Sequence, residues 1–166
     1  TKLTVNGVDK GVYLLIEPSD NKVFMKRWYG ADDGNLYEGA YGMDLESQSL
    51  EEFDQDRGDD TSRADLETLV DALDDIEGQD PYPELKQLID MESYLTFAAT
   101  ELYLGHWDGY ANAMNNYHIY HDMEADNWTF MPWGLDQTFE DSMGPYAGIM
   151  SESGLKWRGG RIHRLC

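Results

Sequence analysis

The hydrophobic period changes from helical to strand-like at Gly105, and that change rules out most fold classes. Before it, Met91, Tyr94, Leu95, Ala98 and Leu102 recur at the spacing of one face of an α-helix. Asp90 stands where an N-cap side chain belongs, and Gly105 where a left-handed terminator belongs. After it, residues 116–120 and 128–132 read as two strands, and the polar link between them reads as the turn of a hairpin. A long helix running into a hairpin excludes all-α and all-β architectures and predicts an α+β fold.

The rest of the chain supplies shorter signals. Residues 11–17, bounded by Gly11 and Pro18, read as a buried strand, and residues 23–28 as a second one. Residues 35–39 read as a short strand after the turn at Asp32, Asp33 and Gly34. Leu66, Leu69, Val70, Leu73 and Ile76 mark a helix, with Thr61 or Ser62 as its cap and Gly78 as its stop. Asp65 and Glu67 suit the positive end of that helix. No repeat and no Pro- or Gly-rich linker divides residues 1–166, which read as one domain or part of one. A start at Thr1 and a stop inside the basic run containing Lys156, Arg158, Arg161 and Arg164 read as a piece of a longer protein.

Charge narrows the partners. Acidic residues number 33 against 12 basic, a formal charge of -21, which argues against nucleic acid as the main partner. Residues 44–92 hold 18 acidic and 3 basic side chains and read as a solvated face. No stretch is long and apolar enough to span a membrane. The one cysteine, Cys166, excludes an intramolecular disulfide.

The chemistry concentrates after the long helix. His106, Trp107 and Asp108 are followed by a loop with Asn112, Asn115 and Asn116, then the hairpin, then Asp136. Phosphoryl transfer to a hydroxyl uses such a set: one carboxylate for the acceptor proton, and a neutral Asn plus a second carboxylate for magnesium. Typical protein kinases place the Asn five residues after the Asp, where this chain has Ala113. On residue types alone, other readings stand beside this one. Asp108 with Gly109 is ordinary turn chemistry, the tryptophans are core, and His106 is a hydrogen-bonded structural residue. Asp108 and Asp136 as an acid and base pair of a hydrolase is a further reading. Asp54, Asp56 and Gly58 begin like a calcium loop, but Asp59 stands at the sixth position and Asp65 at the twelfth, where Gly and Glu are required.

Four ordered segments resemble the CotH kinase family, the spore-coat-type atypical protein kinases. They are the Gly11, Val12, Tyr13 and Glu17 strand, Gly34 to Tyr37, the loop of Trp107, Asp108, Gly109 and Tyr110 with Asn115, Asn116, Tyr117 and Tyr120, and the block from Pro132 through Trp133, Gly134 and Asp136 to Thr138 and Phe139. The resemblance is clear over about residues 5–145. It implies an atypical protein-kinase-like fold, here mostly the C-terminal lobe with the last strands of the N-terminal lobe. It implies ATP-dependent phosphorylation of Ser or Thr on a protein substrate, with magnesium (Mg2+) or manganese (Mn2+). By the resemblance Asp108 is the catalytic base. Asn116, with Asn115 as the alternative, and Asp136 hold the metal. Glu17 and Trp133 lie at the nucleotide, while His106 and Trp107 support the loop. Many family members carry Asp where this chain has Gly134, which narrows the metal carboxylate to Asp136.

The resemblance favours a spore, cell-surface or extracellular setting, and the charge favours a basic substrate. The family's phosphate-binding basic residue is expected upstream of Thr1, so this segment alone is expected to bind nucleotide poorly. Lys10, Lys22 and Lys26 are the nearby lysines, with Lys26 the candidate for phosphate. The alternative function is a degenerate kinase-like binding module of a cell-surface or secreted protein.

Overall fold

The computed structural model describes residues 1–30, 32–59, 61–76, 80–139 and 159–166. Gly78, Asp60, Lys156 and Arg158 lie outside the described residues. The chain forms two compact units, Thr1–Asp32 and Asp33–Cys166.

In the first unit, strands β1 (Lys2–Val5) and β2 (Val8–Val12) pair antiparallel. Asn6 and Gly7 join them with φ of 51° and 77°, as a two-residue type I′ turn requires. That Asn-Gly pair was a readable hairpin signal that the apolar-run reading passed over. The ladder ends at Lys2 opposite Val12, and Tyr13 N donates to Thr1 O at 2.7 Å. Residues 13–17 are therefore not the expected buried strand: Leu14 and Leu15 are 84% and 82% exposed. An apolar run becomes a strand only where a neighbour completes its ladder, and within the first unit the β1–β2 ladder stops before these residues.

The segment expected as a second strand is helix α1 (Lys22–Trp28). Asn21 Oδ1 accepts from Val23 N at 2.8 Å, and Lys26 and Arg27 occupy the last turn. The cap and the dipole-matched basic end outweigh the strand preference of Val23 and Phe24.

The second unit is built on a four-stranded antiparallel sheet, in the order β4 (Asp54–Arg57), β3 (Asn35–Glu38), β5 (Tyr117–Asp122), β6 (Asn127–Pro132). Strand β4 occupies the start of the supposed calcium loop, so that reading fails: Asp54, Gln55 and Arg57 pair with β3, and the segment is an extended strand with a bulge at Asp56, not a coiled loop. Asp122 Oδ1 accepts from Glu124 N and Ala125 N at 3.0 Å, closing the expected β5–β6 hairpin.

Helix α2 (Ala64–Asp74) buries Leu66, Leu69, Val70 and Leu73. Of the two expected caps, Ser62 Oγ accepts from Ala64 N at 3.2 Å, while Arg63 takes the N-cap position in a left-handed conformation. Helix α3 (Tyr82–Leu88), started by prolines at 81 and 83, has no counterpart among the expected elements. Helix α4 (Met91–Leu104) has the expected ends: Asp90 accepts from Ser93 N at 3.1 Å, and Gly105 turns left-handed at φ 65°. Its buried face differs from the expected one. Leu95 is 45% exposed, and Phe97 and Glu101 face inward with Met91, Tyr94 and Ala98.

Aromatic rings join α4 to the sheet. Phe130 lies 5.0 Å from Tyr94 and 4.8 Å from Tyr110, and Tyr110 lies 4.6 Å from Tyr117, as centroids. These spacings are those of edge and tilted aromatic pairs. The end of α4, the following loop and the root of the hairpin thus share one packed core. Among the described residues no helix is long and apolar enough to cross a membrane.

Candidate active site

The loop after α4 is anchored by a residue that charge and motif reasoning passed over. Glu101, 2% exposed, accepts from Tyr110 N at 3.3 Å and Ala111 N at 2.9 Å. Its Oε1 also lies 3.2 Å from His106 Nδ1. The readable signal was a carboxylate on the buried stripe, seven residues after Tyr94 and three after Ala98. Gly109 is required here: a Cβ at that position would stand 2.3 Å from Glu101 Oε1.

His106 is 1% exposed, and its Nε2 stands 3.5 Å from Asp108 Oδ1. Burial disfavours its protonated form, yet the Glu101 hydrogen bond and charge, with Asp108 and the Gly134 carbonyl, raise its pKa above the ordinary 6.5. His106 therefore stands between two carboxylates, hydrogen-bonded to Glu101 and facing Asp108.

Asp108, 8% exposed, receives the side-chain amides of both candidate metal-holding Asn residues. Asn116 Nδ2 donates to its Oδ1 at 2.8 Å and to its backbone carbonyl at 3.3 Å, and Asn115 Nδ2 donates to Oδ2 at 3.4 Å. Asn112 instead turns back to the Trp107 carbonyl. The spacing that departs from typical kinases is accommodated by a helical turn, α5 (Tyr110–Ala113), followed by left-handed residues at Met114 and Asn116, φ 52° and 50°. The extra residues coil, and the amides return to Asp108.

The segment carrying Asp136 is pinned at both ends. Trp133 N donates to Asn116 O at 3.1 Å, and Phe139 N donates to Leu104 O at 2.8 Å. Between them Asp136 sits exposed on a single 3₁₀ turn, Leu135–Gln137. Gly134 has φ +55°, and a Cβ there would stand 2.4 Å from Asn116 Oδ1. A side chain at this position would meet the Asn116 side chain as it is placed here. With its amide nitrogen on Asp108, Asn116 directs its oxygen toward this segment. Asn oxygens and carboxylates are the hard donor set that magnesium takes, so the residues present fit that ion.

The remaining expected residues are placed as follows. Trp133 is 39% exposed, and its ring lies 4.9 Å from that of His118. Trp107 is half-buried in the loop. Glu17 belongs to the first unit, where it is exposed and both its oxygens lie 3.2 Å from Arg27 Nη1. In that unit Lys22, Lys26 and Arg27 line a hollow of about 380 Å³ with Asp32.

The basic C-terminal run acquires a structural role. Helix α6 (Arg161–Leu165) is tied to Asp44: Arg161 N donates to Asp44 Oδ2 at 2.6 Å, and Arg164 Nη2 does so at 3.2 Å. Tyr110 hydroxyl donates to Asp44 Oδ1 at 3.0 Å and accepts from Ile162 N at 3.1 Å. Arg161 Nη2 also reaches Asp74 Oδ1 at 2.6 Å, so Asp74 is an ion-paired group and not the plain surface acid that the acidic-run reading makes it.

Comparison with curated proteins gives no match. The family model described as CotH kinase protein matches residues 1–161, a span that takes in the basic run as far as Arg161. With the loop and the hairpin inside a match that covers nearly the whole chain, the chain belongs to the CotH kinase family.

Proposed function

We propose that this protein transfers the γ-phosphoryl group of ATP to a Ser or Thr hydroxyl of a protein substrate, within an atypical protein-kinase-like fold. The observation that carries the reading is the Asp108 carboxylate held by the Asn115 and Asn116 amides, with Asp136 on a turn pinned beside the same loop.

Asp108 accepts the hydroxyl proton while the hydroxyl oxygen bonds to phosphorus and the bond from phosphorus to the departing ADP oxygen breaks. The two amides fix both carboxylate oxygens, so the base is oriented before the acceptor arrives. Asn116, Asp136 and, as the alternative amide, Asn115 would hold magnesium or manganese. Such an ion, when bound, offsets the charge on the phosphates. Trp133 and Glu17 are the candidates for nucleotide contact. The charge of -21 favours a basic substrate surface.

The test measures labelled phosphate transfer from ATP to basic protein substrates with magnesium or manganese present. Asp108→Asn is expected to lower turnover by about 100-fold or more, and Asp136→Ala to abolish metal-dependent turnover. Unchanged turnover in Asp108→Asn would refute the assignment of the base. A folded, full-length wild type that transfers no phosphate, but binds a protein partner equally with and without Asp108, would instead establish a binding module.

A further inference from the structure

A second cluster of ligand-type side chains lies on the face of the sheet turned away from the core. His118 opposes Glu38 in the β3–β5 ladder, so their side chains leave the same face. The neighbouring pair, Tyr37 and Ile119, points the other way into the core. On the other edge of β3 the register jumps from Leu36 opposite Arg57 to Tyr37 opposite Gln55. Asp56 is the extra residue of that bulge, a device that re-aims a side chain.

Three adjacent strands thereby bring three donors to one point. His118 Nε2 lies 3.4 Å from Asp56 Oδ2 and 3.6 Å from Glu38 Oε2. All three atoms lie within 4.8 Å of one another. The imidazole is 2% exposed, whereas the two carboxylate side chains are 33% and 37% exposed, which leaves a path from solvent. The Trp133 ring packs 4.9 Å from the imidazole and limits its rotation.

We propose that Glu38, Asp56 and His118 bind one divalent transition-metal ion, zinc or manganese, at a site distinct from the magnesium position of Asn116 and Asp136. Bonds of about 2.0–2.2 Å in a tetrahedron separate ligands by about 3.3–3.6 Å, and the two nitrogen–oxygen separations fall in that range. An imidazole with two carboxylates suits zinc or manganese better than magnesium or calcium, which take oxygen donors. Three protein ligands leave a position for water. The excess of negative charge on the chain concentrates cations around the two open carboxylates. The competing occupant is a proton, with His118 ion-paired to both acids.

The experiment is equilibrium dialysis of the full chain against zinc or manganese, with metal quantified by mass spectrometry and thermal unfolding followed in parallel. The wild type is expected to retain about one zinc per chain and to unfold at a higher temperature with it. Glu38→Gln and Asp56→Asn, both at partly exposed positions, are expected to weaken binding by more than about tenfold, while their circular dichroism in chelator matches the wild type. Asp136→Ala is expected to retain the zinc. Cobalt substitution is expected to give the visible absorption of tetrahedral nitrogen–oxygen coordination, lost in Asp56→Asn. No retention by the wild type at about 100 µM metal would leave the proton as occupant and overturn the proposal. Retention unchanged in both variants, or lost in Asp136→Ala alone, would also overturn it by placing the ion elsewhere.

Discussion

Replacing Glu101 tests whether the catalytic loop is held from the helix beneath it. The carboxylate is buried and serves Tyr110 N, Ala111 N and His106 Nδ1 together. Hydrogen bonds to a charged group contribute about 1.5–3 kcal/mol each, and removing one partner of a buried ion pair costs about 3–5 kcal/mol. These contributions share one side chain and do not add. Glu101→Ala is therefore expected to lose about 3–5 kcal/mol, a large part of the stability of a typical domain. Glu101→Gln keeps one acceptor oxygen and is expected to lose about 1–2 kcal/mol. Urea unfolding followed by tryptophan fluorescence and far-ultraviolet circular dichroism gives both values, with Glu124→Gln on the exposed hairpin turn as a control near zero. Amide exchange at Tyr110 and Ala111 is expected to accelerate in the Gln variant ahead of exchange in the sheet. A loss below about 1 kcal/mol for Glu101→Ala, with exchange at those amides unchanged, would refute the argument that this carboxylate holds the loop.

Two further outcomes follow from named contacts. Burial acts to raise the Asp65 pKa, but His121, Tyr37, Asn35 and the Leu66 amide hold it at about 2, below the ordinary 3.8. Burial likewise disfavours protonated His121, yet Asp65 and Asp126 raise its pKa above 6.5. The Asp65 contribution is complete above the ordinary carboxylate value and is lost as pH falls from about 4 toward 2. That of His121 is complete below 6.5 and is lost as pH rises through its raised value. Thermal unfolding is expected to show a plateau between those limbs, with about 1–2 kcal/mol lost on the acid side after solvent screening. An acid limb unchanged in Asp65→Asn would count against this pair. Gly134→Ala, which places a Cβ against Asn116 Oδ1 at a left-handed backbone position, is expected to cost about 1–2 kcal/mol. Solution NMR should show a shifted Asn116 side-chain amide, and an unshifted signal would mean that the close approach is relieved elsewhere.

Local signals carried much of the fold. Asp90 and Gly105 mark the ends of α4 with side chains and backbone that act within one turn, and the β5–β6 hairpin is two strand-forming runs around a polar, acidic turn. The same local logic misread residues 23–28, where strand preference was weighed and the Asn21 cap was not. It also misread residues 13–17, because whether an apolar run is a strand depends on a partner elsewhere. Within the site, His106, Asp108, Asn115 and Asn116 were legible because they lie within one loop. Glu101 was legible only as a carboxylate out of place on an apolar stripe, and the Asp56 bulge is a property of the register between two strands.

The acidic composition illustrates why charge counts hide such residues. Most acids of residues 44–92 do face solvent, but Asp44 is 2% exposed and Asp65 is nearly buried. What separates them from their neighbours is their partners, which lie 66 residues away for Tyr110 on Asp44, 117 for Arg161 on Asp44 and 56 for His121 on Asp65. Tyr110 is then gripped from both ends, its backbone N–H by Glu101 and its hydroxyl by Asp44. Two carboxylates that touch no reacting atom thus fix the residue two places after Asp108. Because one grips from the preceding helix and the other directly from Asp44, which also holds the C-terminal helix, the loop is clamped between parts of the chain 57 residues apart (Glu101 to Asp44). The geometry of the proposed base is therefore set by the closure of the whole second unit, and a lesion at Asp44 is expected to disorder Asp108 without a contact between them.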